Sequence, residues 1–130
     1  MYEKKTNQIC VRVEPSFLEE QSEHDDGVYF WAYTVEIENQ SDEPVQLRSR
    51  YWCITDANGQ MREVRGPGVI GQEPVIEPGK SFSYTSGAPL TTSSGFMTGS
   101  YQMESPSGTQ FSIDIPPFSL DSPYANHSLN

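Results

Sequence analysis

An all-β fold, an antiparallel sandwich of the immunoglobulin or fibronectin III-like type with about seven strands, is what this sequence predicts. Three observations lead there. Short runs alternate apolar with polar residues, turn residues separate them at regular intervals, and no apolar period of 3.6 persists over roughly ten residues. The 130 residues suit one domain, 1–130, that buries about two-thirds of its unfolded surface, with 121–130 as a flexible tail.

Along the chain, the first run is Gln8 to Glu14, which alternates, with Ile9, Val11 and Val13 on one face and Cys10, Arg12 and Glu14 on the other. Glu19 to Gly27 is a charged loop. Tyr29 to Asn39 is the strongest strand, with Tyr29, Trp31, Tyr33, Val35 and Ile37 on one face. After the turn Asn39–Pro44 comes Val45 to Asp56, whose apolar phase flips. Val45 and Leu47 fall on odd positions, Trp52 and Ile54 on even ones. One inserted residue repairs such a flip, so a β-bulge is predicted within Arg48–Tyr51. Asn58-Gly59 predicts a hairpin with a two-residue loop, returning through Gln60 to Arg65. A glycine–proline stretch comes next, and then Ser81 to Ser86 with Phe82 and Tyr84 inward. Gly87 to Gly95 reads as a polar loop. Phe96 to Met103 and Gln110 to Ile115 close the set, and Phe118 and Leu120 dock the tail. Trp31, Tyr33, Val35, Ile37, Tyr101 and Ile113 are the expected core.

The net charge is −10, and its distribution matters more than its sum. Residues 1–43 carry eleven acids and three bases, and residues 72–130 five acids and one Lys. Between them, in 44–71, Arg48, Arg50, Arg62 and Arg65 outnumber Asp56 and Glu63. So acidic a body excludes general binding to nucleic acid or anionic lipid, both of which demand a basic surface. No apolar run is long enough to cross a bilayer, and Met1-Tyr2-Glu3-Lys4-Lys5 leads into no signal-peptide stretch. Two cysteines, Cys10 and Cys53, predict free thiols and a cytoplasmic setting rather than a disulfide framework.

Gly66-Pro67-Gly68-Val69-Ile70-Gly71 matches the dinucleotide pattern G-x-G-x-x-G. That pattern works when a helix comes after the loop and meets the pyrophosphate with its N-terminus. Here Pro74 and Pro78 come too soon for a helix. What the loop retains is the chance of an anion-binding nest of backbone amides beside Arg62 and Arg65. Glu23-His24-Asp25-Asp26 carries metal-ligating atoms, but a contiguous loop run rarely makes them converge, and no metal or cofactor is expected. His24 in a loop and His127 in the tail offer no nucleophile–base pair, so no catalytic residue is assigned and no enzyme expected.

Several segments together resemble one known family. They are Ser49-Arg50-Tyr51-Trp52, Thr55-Asp56-Ala57-Asn58-Gly59, Glu63-Val64-Arg65-Gly66-Pro67-Gly68-Val69-Ile70-Gly71, Tyr84-Thr85-Ser86-Gly87, Pro89-Leu90-Thr91-Thr92, Gly99-Ser100-Tyr101-Gln102-Met103 and Ile115-Pro116-Pro117-Phe118. In that order, over nearly the whole chain, they resemble the bacterial ApaG family. The resemblance implies a fibronectin III-like sandwich, a genetic link to cobalt tolerance and magnesium efflux, and protein-interaction roles in related eukaryotic domains. The reading is therefore a non-enzymatic binding module with another protein as partner. A sensor for a nucleotide, pyrophosphate or other small anion at the glycine loop is the alternative. Arg48, Arg50, Trp52, Arg62, Arg65, Gly66, Gly68 and Gly71 form the candidate surface, with Arg65 expected near Arg50 or Trp52 across the hairpin.

Overall fold

In the computed structural model, which describes residues 1–125, the chain forms nine strands. They are β1 (Tyr2–Thr6), β2 (Ile9–Phe17), β3 (Tyr29–Asn39), β4 (Val45–Asp56), β5 (Met61–Pro67), β6 (Val75–Ile76), β7 (Ser81–Leu90), β8 (Ser94–Glu104) and β9 (Gln110–Asp121). One sheet has the order β1-β2-β3-β7 and the other β5-β4-β8-β9, with β6 pairing with β4. All pairings are antiparallel. The two sheets face each other as the sandwich expected from the alternation.

Two strands exceed the expected seven. β1 reads Tyr-Glu-Lys-Lys-Thr and buries none of its residues fully, so it carries no apolar alternation. It pairs with β2 through a tight turn in which Asn7 and Gln8 both take positive φ, 50° and 66°. β6 is two residues long and pairs Val45 with Ile76. β7 runs on to Leu90 through the expected polar loop, burying Ala88 and Leu90. Pro89 is tolerated there because β7 is a sheet edge.

The bulge lies where the phase flip puts it. Leu47 faces Met103 and Ser49 faces Gln102, so Arg48 is the inserted residue, and Leu47 and Trp52 are both buried. β9 uses the same device around Pro116-Pro117: Ile115 faces Gly99 while Phe118 faces Met97. Its apolar phase thus moves from Ile113 and Ile115 to Phe118 and Leu120, all buried. The expected core residues Trp31, Tyr33, Val35, Ile37, Tyr101 and Ile113 are buried as well. Trp52 joins the sheets: its ring lies 5.0 Å from that of Tyr33 and 6.0 Å from that of Phe118, both edge-on. Cys10 and Cys53 are free thiols on different sheets.

Candidate functional site

The β4–β5 hairpin arranges the arginines, and its register decides which way each points. Arg50 faces Gly66, Tyr51 faces Arg65, Trp52 faces Val64 and Ile54 faces Arg62. Side chains alternate along a strand, so Arg50, Trp52, Ile54, Arg62 and Val64 turn toward the other sheet. Tyr51, Cys53, Glu63 and Arg65 turn outward. The connecting loop has three residues, Ala57-Asn58-Gly59, not the two expected. Only Gly59 is left-handed, at φ 83°, and the Asp56 carboxylate accepts from the amides of Asn58 and Gln60.

Arg65 and Arg50 leave the hairpin on opposite faces, yet both line a cleft of about 230 Å³ together with Ser49, Tyr51, Gly66, Ser100 and Gln102, so Arg65 lies near Arg50 as expected. Arg65 lies 4.5 Å above the Tyr51 ring and 3.8 Å from the Glu63 carboxylate, while Tyr51 donates its hydroxyl to Glu63. That bond, more than burial, pushes the Tyr51 phenol up to about 12. Arg48, at the bulge, pairs with Glu73 at 3.0 Å and Glu104 at 3.9 Å. Arg50 has another kind of partner. Its Nη1 donates to the carbonyls of Pro67 and Gly68, each at 3.0 Å. Gly66 makes room for the guanidinium, since a Cβ there would stand 3.0 Å from Nη1 and from Nη2. Arg62 has no ion pair among the described residues.

The glycine loop is a tight turn. Val69 and Gln72 exchange backbone hydrogen bonds around Ile70-Gly71, both left-handed, at φ 41° and 78°. The Gly68 amide donates to the Arg48 carbonyl, and a Cβ on Gly68 would lie 2.1 Å from the Gln72 oxygen. The amides of Gly68, Val69 and Gln72 are thus already bonded, and the loop offers carbonyls to the nearest arginine. Past Gln72 the chain runs extended into β6, so no helix N-terminus stands where the dinucleotide fingerprint needs one.

Two clefts lie between the hairpin and β7. The first, of about 160 Å³, is lined by Tyr33, Arg50, Trp52, Arg62, Ser86 and Ala88, among others. The second, of about 140 Å³, includes Asp56, Met61, Leu90 and Thr91, and shares Ile54 and Arg62 with the first. Behind Arg50 the phenols of Tyr84 and Tyr101 hydrogen-bond at 2.5 Å, both pushed up chiefly by burial. Burial also raises Tyr33, against the pull of Ser86 and the Arg50 charge. Tyr33 was legible in the sequence as core, but the cleft roles of Tyr33 and Ser86 come from the packing of one sheet on the other, which strand patterns do not encode.

The acidic loop is more ordered than its composition implies. Residues 24–26 form a 3-10 turn, the His24 ring stacks on Tyr124 at 4.2 Å, and its Nδ1 lies 2.6 Å from the Tyr29 hydroxyl. Among the described residues, no group of three or more His, Cys, Asp or Glu is placed to hold a metal ion. His127 lies outside the described residues.

Fold and hairpin define the class: a two-sheet antiparallel sandwich domain with a basic hairpin at one open side. The family model of the ApaG domain matches residues 19–105. The chain is 59% identical to Protein ApaG of Bradyrhizobium sp. (strain ORS 278) and 55% identical to that of Rhodopseudomonas palustris (strain TIE-1), each over 130 residues and all of both chains. The crystal structure of a Bordetella pertussis protein assigned as ApaA is 43% identical, covers 90% of this chain and 95% of that one, and superposes with a TM-score of 0.87. The C-terminal domain of wzt, at 8% identity over 96% of this chain and 79% of that one, has a TM-score of 0.58 and shares the fold alone. The chain belongs to the ApaG family.

Proposed function

We propose that this ApaG domain is a non-enzymatic, cytoplasmic protein-interaction module that grips its partner along the β4–β5 hairpin. The observation that carries the reading is β5 itself. It is the edge of its sheet, five of its seven residues are exposed, and none is fully buried. An edge strand leaves a row of main-chain groups unpaired, which is how extended segments of other proteins add to a sheet. Met61, the first residue of β5, is 69% exposed at one end of the clefts. The hairpin also carries the arginines of the one basic stretch in an acidic chain.

The candidate nucleophiles and bases support a non-catalytic role. Burial first, and then the bond to Glu3, push the Cys10 thiol up to about 11, so it stays protonated at neutral pH. One ring nitrogen of His24 is taken by Tyr29. We assign the metal-stress role that the family resemblance implied to the activity of the partner.

Photo-crosslinking in the native cell tests the proposal. A benzoylphenylalanine in place of Met61 is expected to trap a defined protein, and one in place of Asp114, on β9, is not. Traps from Asp114 alone would overturn it. So would a thermal midpoint raised by ATP or pyrophosphate with no protein trapped at either position, because a ligand at 100 times its Kd adds about 2.7 kcal/mol to stability.

A further inference from the structure

The chain has 18 acids and 8 Lys and Arg, so an arginine without a carboxylate is out of the ordinary here. Arg12 is surrounded by Glu3, Glu36 and Glu38 at 3.0–3.1 Å. Arg48 has Glu73 and Glu104, and Arg65 has Glu63. Arg50 and Arg62 have none among the described residues, and the cleft that they line together contains no Asp or Glu in its wall. Arg50 uses Nη1 on the loop carbonyls, which leaves Nε and Nη2 without a hydrogen bond among the described residues. Tyr33 and Ser86 line the same cleft, and Trp52, Val64 and Ala88 give it an apolar floor.

A guanidinium presents a planar fork of donors that matches a carboxylate. At about 160 Å³ the cleft is smaller than the roughly 300 to 1,000 Å³ of ordinary small-molecule sites. It suits one side chain or one chain end. The second cleft continues it past Ile54 and Arg62 along the open edge of β5, a path for an extended chain. Resting on the interaction-module reading, we infer that the cleft between the β4–β5 hairpin and β7 recognises a carboxylate presented by an extended peptide, with Arg50 and Arg62 as its receptors. The acidic body does not forbid this, because salt screens exposed charges beyond about 8 Å at physiological ionic strength.

The test is a titration of the full chain, labelled with ¹⁵N, with three peptides: acetyl-Val-Glu-Val-amide, acetyl-Val-Gln-Val as the free acid, and acetyl-Val-Gln-Val-amide. Concentrations reach about 5 mM, the range in which ligands held by few contacts saturate. One of the two acids, but not the neutral peptide, is expected to shift the Nε–H signals of Arg50 and Arg62 and the indole N–H of Trp52. The first acid identifies a side-chain carboxylate as the ligand, the second a chain terminus. Arg62→Ala, at an exposed position, is expected to weaken that acid about tenfold, and Arg65→Ala to leave it unchanged. No shift from either acid, equal shifts from the neutral peptide, or unchanged affinity in Arg62→Ala overturns the inference. If Met61 still traps a protein under any of those results, the module reading survives and only the carboxylate site falls.

Discussion

The two sides of the sandwich are closed to different degrees. On the β1–β9 side, Tyr2 packs on Phe118 at 5.9 Å, the Asp114 amide donates to the Thr6 hydroxyl, and Lys4 approaches Asp114 at 4.0 Å. Backbone, rings and charges from both sheets meet there. On the β5–β7 side the sheets end in clefts, and the arginines that line them keep unused donors. Both sides belong to one fold with one set of strand rules. A sandwich thus distributes its cross-sheet contacts unevenly, and the side left unfinished is where a partner has something to finish.

Substitutions on the two sides put this contrast to the test. Phe118→Ala removes a ring that is 2% exposed on the sealed side and should cost about 3 to 5 kcal/mol in denaturant unfolding. Val64→Ala, a half-buried position on the open side, should cost about 1 kcal/mol. Equal losses would mean that the two sides are packed alike.

Gly99→Ala probes the middle of the second sheet, under Trp52. A Cβ there would stand 2.3 Å from the Tyr51 carbonyl oxygen and 3.1 Å from the Trp52 ring. Backbone cannot swing aside as a side chain can, so a loss of about 1 to 3 kcal/mol is expected. A neutral result would show that β4 and β8 separate easily.

Alkali should attack the two sides in sequence. Cys10, beside β1, is raised from 9.0 to about 11 in the folded chain. Tyr84 and Tyr101, near Arg50, are raised from 10.0 by burial. Each group favours its neutral form in the fold, so its contribution is complete below the unfolded value and fades as pH climbs through the folded one. Unfolding midpoints should hold steady up to about pH 9 and then decline. Cys10→Ser should remove the first part of that decline, between 9.0 and about 11, and leave the tyrosine part. A decline that begins below pH 9 would contradict both assignments. Smallest of all, Arg65→Ala should change stability by no more than about 0.5 kcal/mol, because its partners Tyr51 and Glu63 sit with it in solvent.

How far the sequence could be read depended on whether a residue's role was set by its own strand. The odd-to-even flip between Leu47 and Trp52 located the bulge. The same signal, Ile115 against Phe118 across two prolines, marked a second one, yet the segment looked like a docked tail because proline argues against strand. β1 left no trace, since a sheet edge with Lys4 and Lys5 exposed needs no alternation. Arg50 shares the even parity of Trp52 and Ile54, so its inward direction was legible once the bulge was placed. The closeness of Arg65 to Arg50 was legible too, since the hairpin pairs Arg50 with Gly66, the next residue after Arg65. Tyr33 and Ser86 could not be assigned to the cleft from sequence, because only the approach of one sheet to the other brings them to Arg50.

Gly66 leaves a space that Arg50 fills, and that single accommodation makes the arginine a mechanical link. Its guanidinium anchors the carbonyls of Pro67 and Gly68 through Nη1, and the same residue lines the cleft. A group that competes for Arg50 in the cleft draws on the same charge that anchors the loop. Occupancy on the inner side of the sheet would then be broadcast to the outside as slack in the loop, readable as faster hydrogen exchange at Gly68, Val69 and Gln72.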